Sequence, residues 1–234
     1  MNKVELCTYK TCTQCQACQT TCPKGCISMV EAKDGFAVPE IDRDRCVGCG
    51  ACMTVCHRLN PVFTFQKPIR TYACWTRNME DRERSSSGGA FFVIAKKIIS
   101  RGGIVYGASM CEDLQVKHIG IESATDIIRL QGSKYVQSYM GDTYKKVRNE
   151  LQVGRKVLFT GTPCQVAGLL TYLHKPYDNL LTCDVVCHGV PSQKAFDVYI
   201  DKIGLKGKCS DFFFRFTKGW GFQKKSYSLK TPTT

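Results

Sequence analysis

Cysteines at fixed intervals are the chemistry-bearing residues of this chain. Cys12, Cys15, Cys18 and Cys22 form a C-x2-C-x2-C-x3-C run, and Cys46, Cys49, Cys52 and Cys56 repeat it. Thiolates at this spacing suit two [4Fe–4S] cubanes. A cubane offers four iron corners, each of which takes one thiolate. Three cysteines two residues apart let a tight loop wrap three corners. The fourth, expected at the start of a helix, points away and reaches the other cluster. The spacing therefore assigns Cys12, Cys15, Cys18 and Cys56 to cluster one, and Cys46, Cys49, Cys52 and Cys22 to cluster two. Pro23 closes the first run, and His57 stands where a second proline would close the other. Zinc also takes Cys-x2-Cys pairs, usually two separated pairs for one ion. Two matching four-cysteine runs fit cubanes better.

The stretch between the runs must hold them face to face. Asp34-Gly35 lies between the apolar runs that begin at Ile27 and Phe36, which is a hairpin signal. The pattern resembles the hairpin that joins the two halves of a bacterial-type ferredoxin. Residues 1–66 are thus expected to form an α+β ferredoxin-like two-cluster domain. Cys7 and Cys26 fall outside its ligand pattern, and Cys26 reads as a packing residue.

Composition narrows the setting. Sixteen cysteines in 234 residues would suit a disulfide scaffold, but eight are taken up by the two runs. No apolar run approaches the roughly 18 residues of a membrane span, and the first six residues lack an apolar signal core. These features, with thiolate cluster ligands, point to a reducing, cytoplasmic compartment. Residues 1–66 hold seven basic and six acidic side chains, a net +1, and the rest of the chain carries +12 of the total +13. Each oxidised cubane with its thiolates adds about −2, so the loaded first half is acidic and the second basic. No nucleic-acid motif accompanies that charge. An anionic cofactor, an acidic redox protein or a small-molecule acceptor explains it more simply.

The second half, residues 67–234, alternates strand and helix signals and reads as an α/β sheet domain. Strands are expected over 71–76, 103–109, 116–122, 156–160, 180–187 and 211–216. Helices are expected over 90–99, 124–130 and 141–153, after Pro163, and from Ser192 to about Ile203. Ser85-Ser86-Ser87-Gly88-Gly89 precedes the first of these helices. Such a stretch makes either an anion site suited to a flavin phosphate or an ordinary cap with a flexible loop. Gly132-Ser133-Lys134-Tyr135-Val136-Gln137-Ser138 reads as a cofactor-facing segment or a plain loop. Cys164 follows Gly161-Thr162-Pro163 at a helix start, where the dipole favours thiolate. It fits a cluster ligand, a redox thiol or a buried structural cysteine. Cys187 is expected at the end of its strand, which would let the two thiols meet at the carboxyl edge of the sheet. Standard dinucleotide and P-loop patterns are absent.

Taken together, the cysteine runs, Ser85–Gly89, Gly132–Ser138, Gly161-Thr162-Pro163-Cys164-Gln165 and Cys187-His188-Gly189-Val190-Pro191-Ser192 carry a family resemblance. The chain resembles the family of coenzyme F-420 hydrogenase/dehydrogenase beta subunits, in the form with a fused ferredoxin domain. The resemblance implies an iron–sulfur flavoprotein with FAD near Ser86, Ser87, Gly88 and Gly89. Ser133, Lys134, Gly161 and Thr162 are further candidate cofactor-binding positions. It also implies that Cys164 and Cys187 ligate a third [4Fe–4S] cluster. Family members continue into a region with more cysteines, so a separate C-terminal fragment or subunit is an expected partner.

The function expected is an iron–sulfur oxidoreductase that passes electrons between [4Fe–4S] clusters and a flavin or deazaflavin-type acceptor. The alternative is a non-enzymatic ferredoxin-type carrier whose second half docks a partner. A thiol enzyme using Cys164 and Cys187 is a third possibility. No general acid or base stands out.

Overall fold

The computed structural model describes residues 4–61, 67–215 and 228–230. The domain boundary expected at residue 66, Phe216 of the last expected strand and all but residues 228–230 of the rest lie outside this set.

The first half is built as two copies of one turn. Gln16 and Gly50, at φ 62° and 73°, turn the chain left-handed just before α1 (Ala17–Thr21) and α2 (Ala51–Thr54). That turn puts the third cysteine of each run inside the helix, and the fourth comes after it. Cys22 caps the carboxyl end of α1, and Cys56 lies two residues beyond α2. The expectation that the fourth cysteine begins a helix is thus corrected. The hairpin is present: β1 (Ile27–Glu31) and β2 (Ala37–Ile41) pair antiparallel, with Ile27 opposite Ile41 and Glu31 opposite Ala37. Gly35, at φ 83°, makes the turn.

The second half opens with α3 (Met79–Glu83) and α4 (Ala90–Ile99). A four-stranded sheet follows. It consists of β3 (Ile104–Met110), β4 (Val116–Ile121), β5 (Val157–Gly161) and β6 (Leu180–Asp184), in the order β4-β3-β5-β6. β3, β5 and β6 run parallel, and β4 pairs antiparallel with β3 as a hairpin. Between them come α5 (Ile127–Leu130), α6 (Thr143–Gln152) and α7 (Pro163–Leu173). After the sheet come α8 (Gln193–Lys202) and a small ladder of β7 (Asp211–Phe213) with β8 (Ser228–Lys230).

Three expectations are revised. Residues 71–76 form no strand. Among the described residues no strand pairs with them, and Tyr72 and Trp75 are exposed. Residues 124–126 wind as a short 3-10 turn ahead of α5. β6 stops at Asp184, so Cys187 sits in an exposed loop rather than at a strand end.

Alternation along β5 builds two cores. Val157 and Phe159 face α6 and α7, joining Tyr144, Val147, Leu169 and Tyr172. Leu158 faces the other way, onto Ala95 of α4 and Ile127 of α5. Cys15, Ala17 and Val55 of the first half belong to the same apolar cluster as Phe159 and Tyr144. The two halves therefore share a core rather than touching at a wet interface.

Candidate functional site

The eight cysteines of the two runs line two cavities. Cys12, Cys15, Cys18 and Cys56 surround one, with Leu6, Met29 and Pro39 in its wall. Cys22, Cys46, Cys49 and Cys52 surround the other, with Val4, Ile27 and Ile41. Each set combines three cysteines of one run with the fourth of the other. Among the described residues no three His, Cys, Asp or Glu side chains converge on a single-ion site. The thiols are spread around the cavities instead. Each hollow is largely apolar and carries three cysteines of one run, the fourth of the other and one further thiol, Cys7 or Cys26, so the residues present fit one cluster in each cavity.

The electrostatics agree. Burial pushes the Cys15 thiol up to about 12, with the neighbouring Cys164, Cys12 and Cys56 adding repulsion. Burial also drives Cys18 well up. Thiolates packed this closely need cationic iron to neutralise them, so cluster assembly and proton release are coupled.

One cavity is joined to the sheet domain. Gly168, in the middle of α7, lies against Cys15. A Cβ there would meet Cys15 Cβ at 3.0 Å, Cys15 Sγ at 3.1 Å and the Tyr144 hydroxyl at 2.9 Å. Only a glycine lets the helix come this close. Gln16 secures the contact: its Oε1 accepts from Met140 N–H at 3.0 Å and Gly141 N–H at 3.1 Å. The hairpin docks separately, where Ser192 Oγ donates to Asp34 O at 2.6 Å.

Cys164, in the first turn of α7, is within electrostatic reach of Cys12, Cys15 and Cys187. The structure thus brings Cys164 and Cys187 near each other, beside the first cavity. Sequence reasoning expected the helix to favour a Cys164 thiolate, but burial outweighs it and raises the thiol. The hydroxyl of Thr162, 3.1 Å away, opposes that rise only in part. Cys183 and Cys209 turn into apolar clusters instead.

The remaining candidates meet through residues 132–138. At one end, Ser133 donates from its N–H and its hydroxyl to Ser86 Oγ, at 3.1 and 3.3 Å. Ser87 is exposed beside them, and Gly89 caps α4 at φ 83°. Gly88 is packed under its own chain, since a Cβ there would fall 2.3 Å from Cys74 O. Lys134 Nζ donates to Gln131 O at 2.7 Å and Arg129 O at 3.1 Å, and burial lowers its ammonium to about 8. Gln137 Nε2 is buried without a hydrogen-bond partner.

At the other end lies a network that sequence reasoning missed. Gln165 Nε2 donates to Ser138 Oγ at 2.7 Å, and Ser138 lies 2.9 Å from His118 Nδ1. His118 Nε2 is 3.0 Å from Thr160 O, a carbonyl that can only accept. His118 therefore carries its proton on Nε2 and accepts from Ser138. Gln165 Oε1 takes the Thr162 N–H at 2.9 Å, completing a capping box on α7 beside Gly161. The Thr-x-x-Gln spacing at 162–165 was the available signal for Gln165. Nothing in the sequence marks His118, which meets this loop only through the β3–β4 hairpin.

Two stretches of the chain match known protein families. Residues 11–58 match the model of the 4Fe-4S dicluster domain, and residues 154–226 that of the C terminus of the coenzyme F420 hydrogenase/dehydrogenase beta subunit. The chain is thus similar to the beta subunits of coenzyme F420 hydrogenase/dehydrogenase over part of its second half and to 4Fe-4S dicluster domains over part of its first. The beta-subunit model begins just ahead of β5 and takes in the Gly161–Gln165 and Cys187–Ser192 motifs. Among curated relatives, the F-type subunit of the F(420)H(2) dehydrogenase of Methanosarcina mazei is 23% identical over 245 residues, spanning 97% of this chain and 68% of that protein. Among solved structures, a chain of the F420-reducing [NiFe] hydrogenase complex from Methanosarcina barkeri aligns at 17% identity and TM-score 0.49, over 72% of this chain. The chain spans 60% of the length of that structural neighbour. Among the described residues, no helix is long and apolar enough to cross a membrane.

Proposed function

We propose that this chain is an iron–sulfur oxidoreductase that moves electrons between two [4Fe–4S] clusters and a flavin or deazaflavin-type acceptor on its sheet domain. Cys12, Cys15, Cys18 and Cys56 hold one cluster, and Cys22, Cys46, Cys49 and Cys52 hold the other. The observation that carries this reading is the contact of Cys15 with Gly168 of α7. It sets one cluster cavity directly against the domain that bears the family motifs.

Both cavities are lined by first-half residues, but the first holds the buried Cys15 against α7 while the second holds the exposed Cys49. In this reading the second cluster meets a redox partner, another subunit or a small molecule through its Cys49 side, and the first meets the sheet domain through Cys15. Electrons then pass through the chain in that order or its reverse. When bound, cubanes supply single-electron steps, and a flavin couples these to a two-electron step. Ser86, Ser133 and Gln137 offer hydroxyl and amide donors for a flavin phosphate, with Ser87, Gly88, Gly89, Lys134, Gly161 and Thr162 shaping the loops around it. Cys164 and Cys187 supply two thiols toward a third cluster, with its other ligands coming from a partner or a further segment. As in the relatives, which are parts of larger enzymes by name, the working form is an assembly.

Anaerobic purification followed by counts of iron, sulfide and flavin tests the reading. About eight irons with flavin is the expected result, and about twelve adds the third cluster. Iron and sulfide without flavin favours the carrier role. A colourless, iron-free sample overturns both.

A further inference from the structure

Cys7 and Cys26 belong to neither run, yet each completes the wall of a cluster cavity. Cys7 lines the cavity of Cys12, Cys15, Cys18 and Cys56, and Cys26 lines the other. Each stands against the same kind of ligand. Cys7 Sγ is 3.6 Å from Cys56 Sγ, and Cys26 Sγ is 3.4 Å from Cys22 Sγ. Cys56 and Cys22 are the fourth cysteines of their runs, the ones that cross to the other run's cluster.

The internal repeat does not explain the match. Cys26 follows Cys22 by four residues in the same loop, whereas Cys7 precedes both runs and lies 49 residues from Cys56. Two unrelated stretches of chain deliver the same contact. Packing alone gives no reason for a thiol at both places, where an alanine or valine would fill the wall.

A cubane has four corners, and four thiolates fill them. A fifth thiol beside it keeps its proton, and in each cavity the ligand sulfur at 3.4–3.6 Å is within hydrogen-bonding reach of that proton. We infer that Cys7 and Cys26 are donor thiols that hydrogen-bond to the crossing ligands Cys56 and Cys22, each raising the reduction potential of its own cluster. Hydrogen bonds to ligand sulfur withdraw electron density and favour the more negative, reduced cluster. The pair gives the protein a separate adjustment for each step of the electron path. Neither residue is a ligand; both are positioning residues.

This inference rests on the ligand assignment proposed above, and one experiment separates the two. The full chain is purified without oxygen, its iron is counted, and each cluster's potential is titrated by electron paramagnetic resonance. Cys7→Ala is expected to lower the potential of the cluster held by Cys12, Cys15, Cys18 and Cys56 and leave the other unmoved. Cys26→Ala is expected to do the converse. Cys7→Ser and Cys26→Ser keep a donor and hold the potential at or above that of the unsubstituted protein. Full iron in the alanine variants with both potentials unmoved overturns the inference alone. Loss of a cluster in the alanine variant but not the serine variant also overturns it, because the thiol is then needed to hold the cubane. Absence of iron from the unsubstituted protein sinks the ligand assignment first.

Discussion

At the level of single residues, the two cysteine runs are near-repeats with one telling difference. Gly48 and Gly50 take the left-handed turns of the second run, at φ 69° and 73°. In the first run Gln14 and Gln16 do so, at φ 59° and 62°, each at a cost of about 1 kcal/mol. Gln16 offsets its cost with two buried hydrogen bonds to the sheet domain. The cysteine spacing was legible in the sequence because a cubane imposes it locally; the role of Gln16 was not, because its partners lie more than 120 residues away. His118 was hidden for the same reason. It is 7% exposed, and burial lowers its imidazole from the ordinary 6.5 to about 4. The folded state therefore holds His118 neutral where the unfolded chain would protonate it. Stability from this residue is intact above about pH 6.5 and is lost as pH falls toward 4, by up to ~3 kcal/mol. Urea unfolding followed by far-ultraviolet circular dichroism between pH 7 and 5 checks this. His118→Gln is expected to be less stable at pH 7 but to fall less steeply with acid. Parallel curves for the two proteins would refute the assignment.

At the scale of elements, α7 does two jobs from one sequence. Its amino end presents Cys164 and the Thr162–Gln165 capping box, and its middle presents Gly168 to Cys15. The strand–turn–helix layout around it was legible, because a short apolar run before Gly-Thr-Pro is a strong local signal. The expected strand at 71–76 failed because β-propensity reports a fit to a sheet face, and among the described residues no strand pairs with that stretch. A glycine inside a helix costs about 1 kcal/mol against alanine, and here close approach to the cluster wall accounts for it. Gly168→Leu is expected to drive Cys15 and Tyr144 away, destabilising the protein by about 1–3 kcal/mol. The cubane of Cys12, Cys15, Cys18 and Cys56 should be lost or depleted, with the other retained. Quantitative electron paramagnetic resonance of the reduced variant reads this directly. Equal loss of both signals would mean that α7 acts on the whole first half and not on one cluster.

For the whole molecule, covalent and physical divisions do not coincide. The segment from Lys67 to Trp75 is exposed throughout and marks a connection between two sequence modules. Yet the apolar cluster of Phe159, Tyr144 and Leu169 also contains Cys15, Ala17 and Val55 from the other side of that segment. Burying Ala17 and Val55 against the sheet domain removes apolar surface that an isolated first half would expose, at about 25 cal/mol per Å2. The Gln16 and Ser192 hydrogen bonds fix the orientation of that contact. Cutting the connection should therefore leave the halves together. Brief trypsin treatment of the iron-loaded protein is expected to cleave after Arg70, which lies in the exposed segment. The two products are expected to co-elute on size exclusion with iron content unchanged. Separation of the fragments with both clusters intact in the smaller one would show that the first half is a self-sufficient carrier. The cluster beside Cys15 would then not depend on the sheet domain that its contacts join.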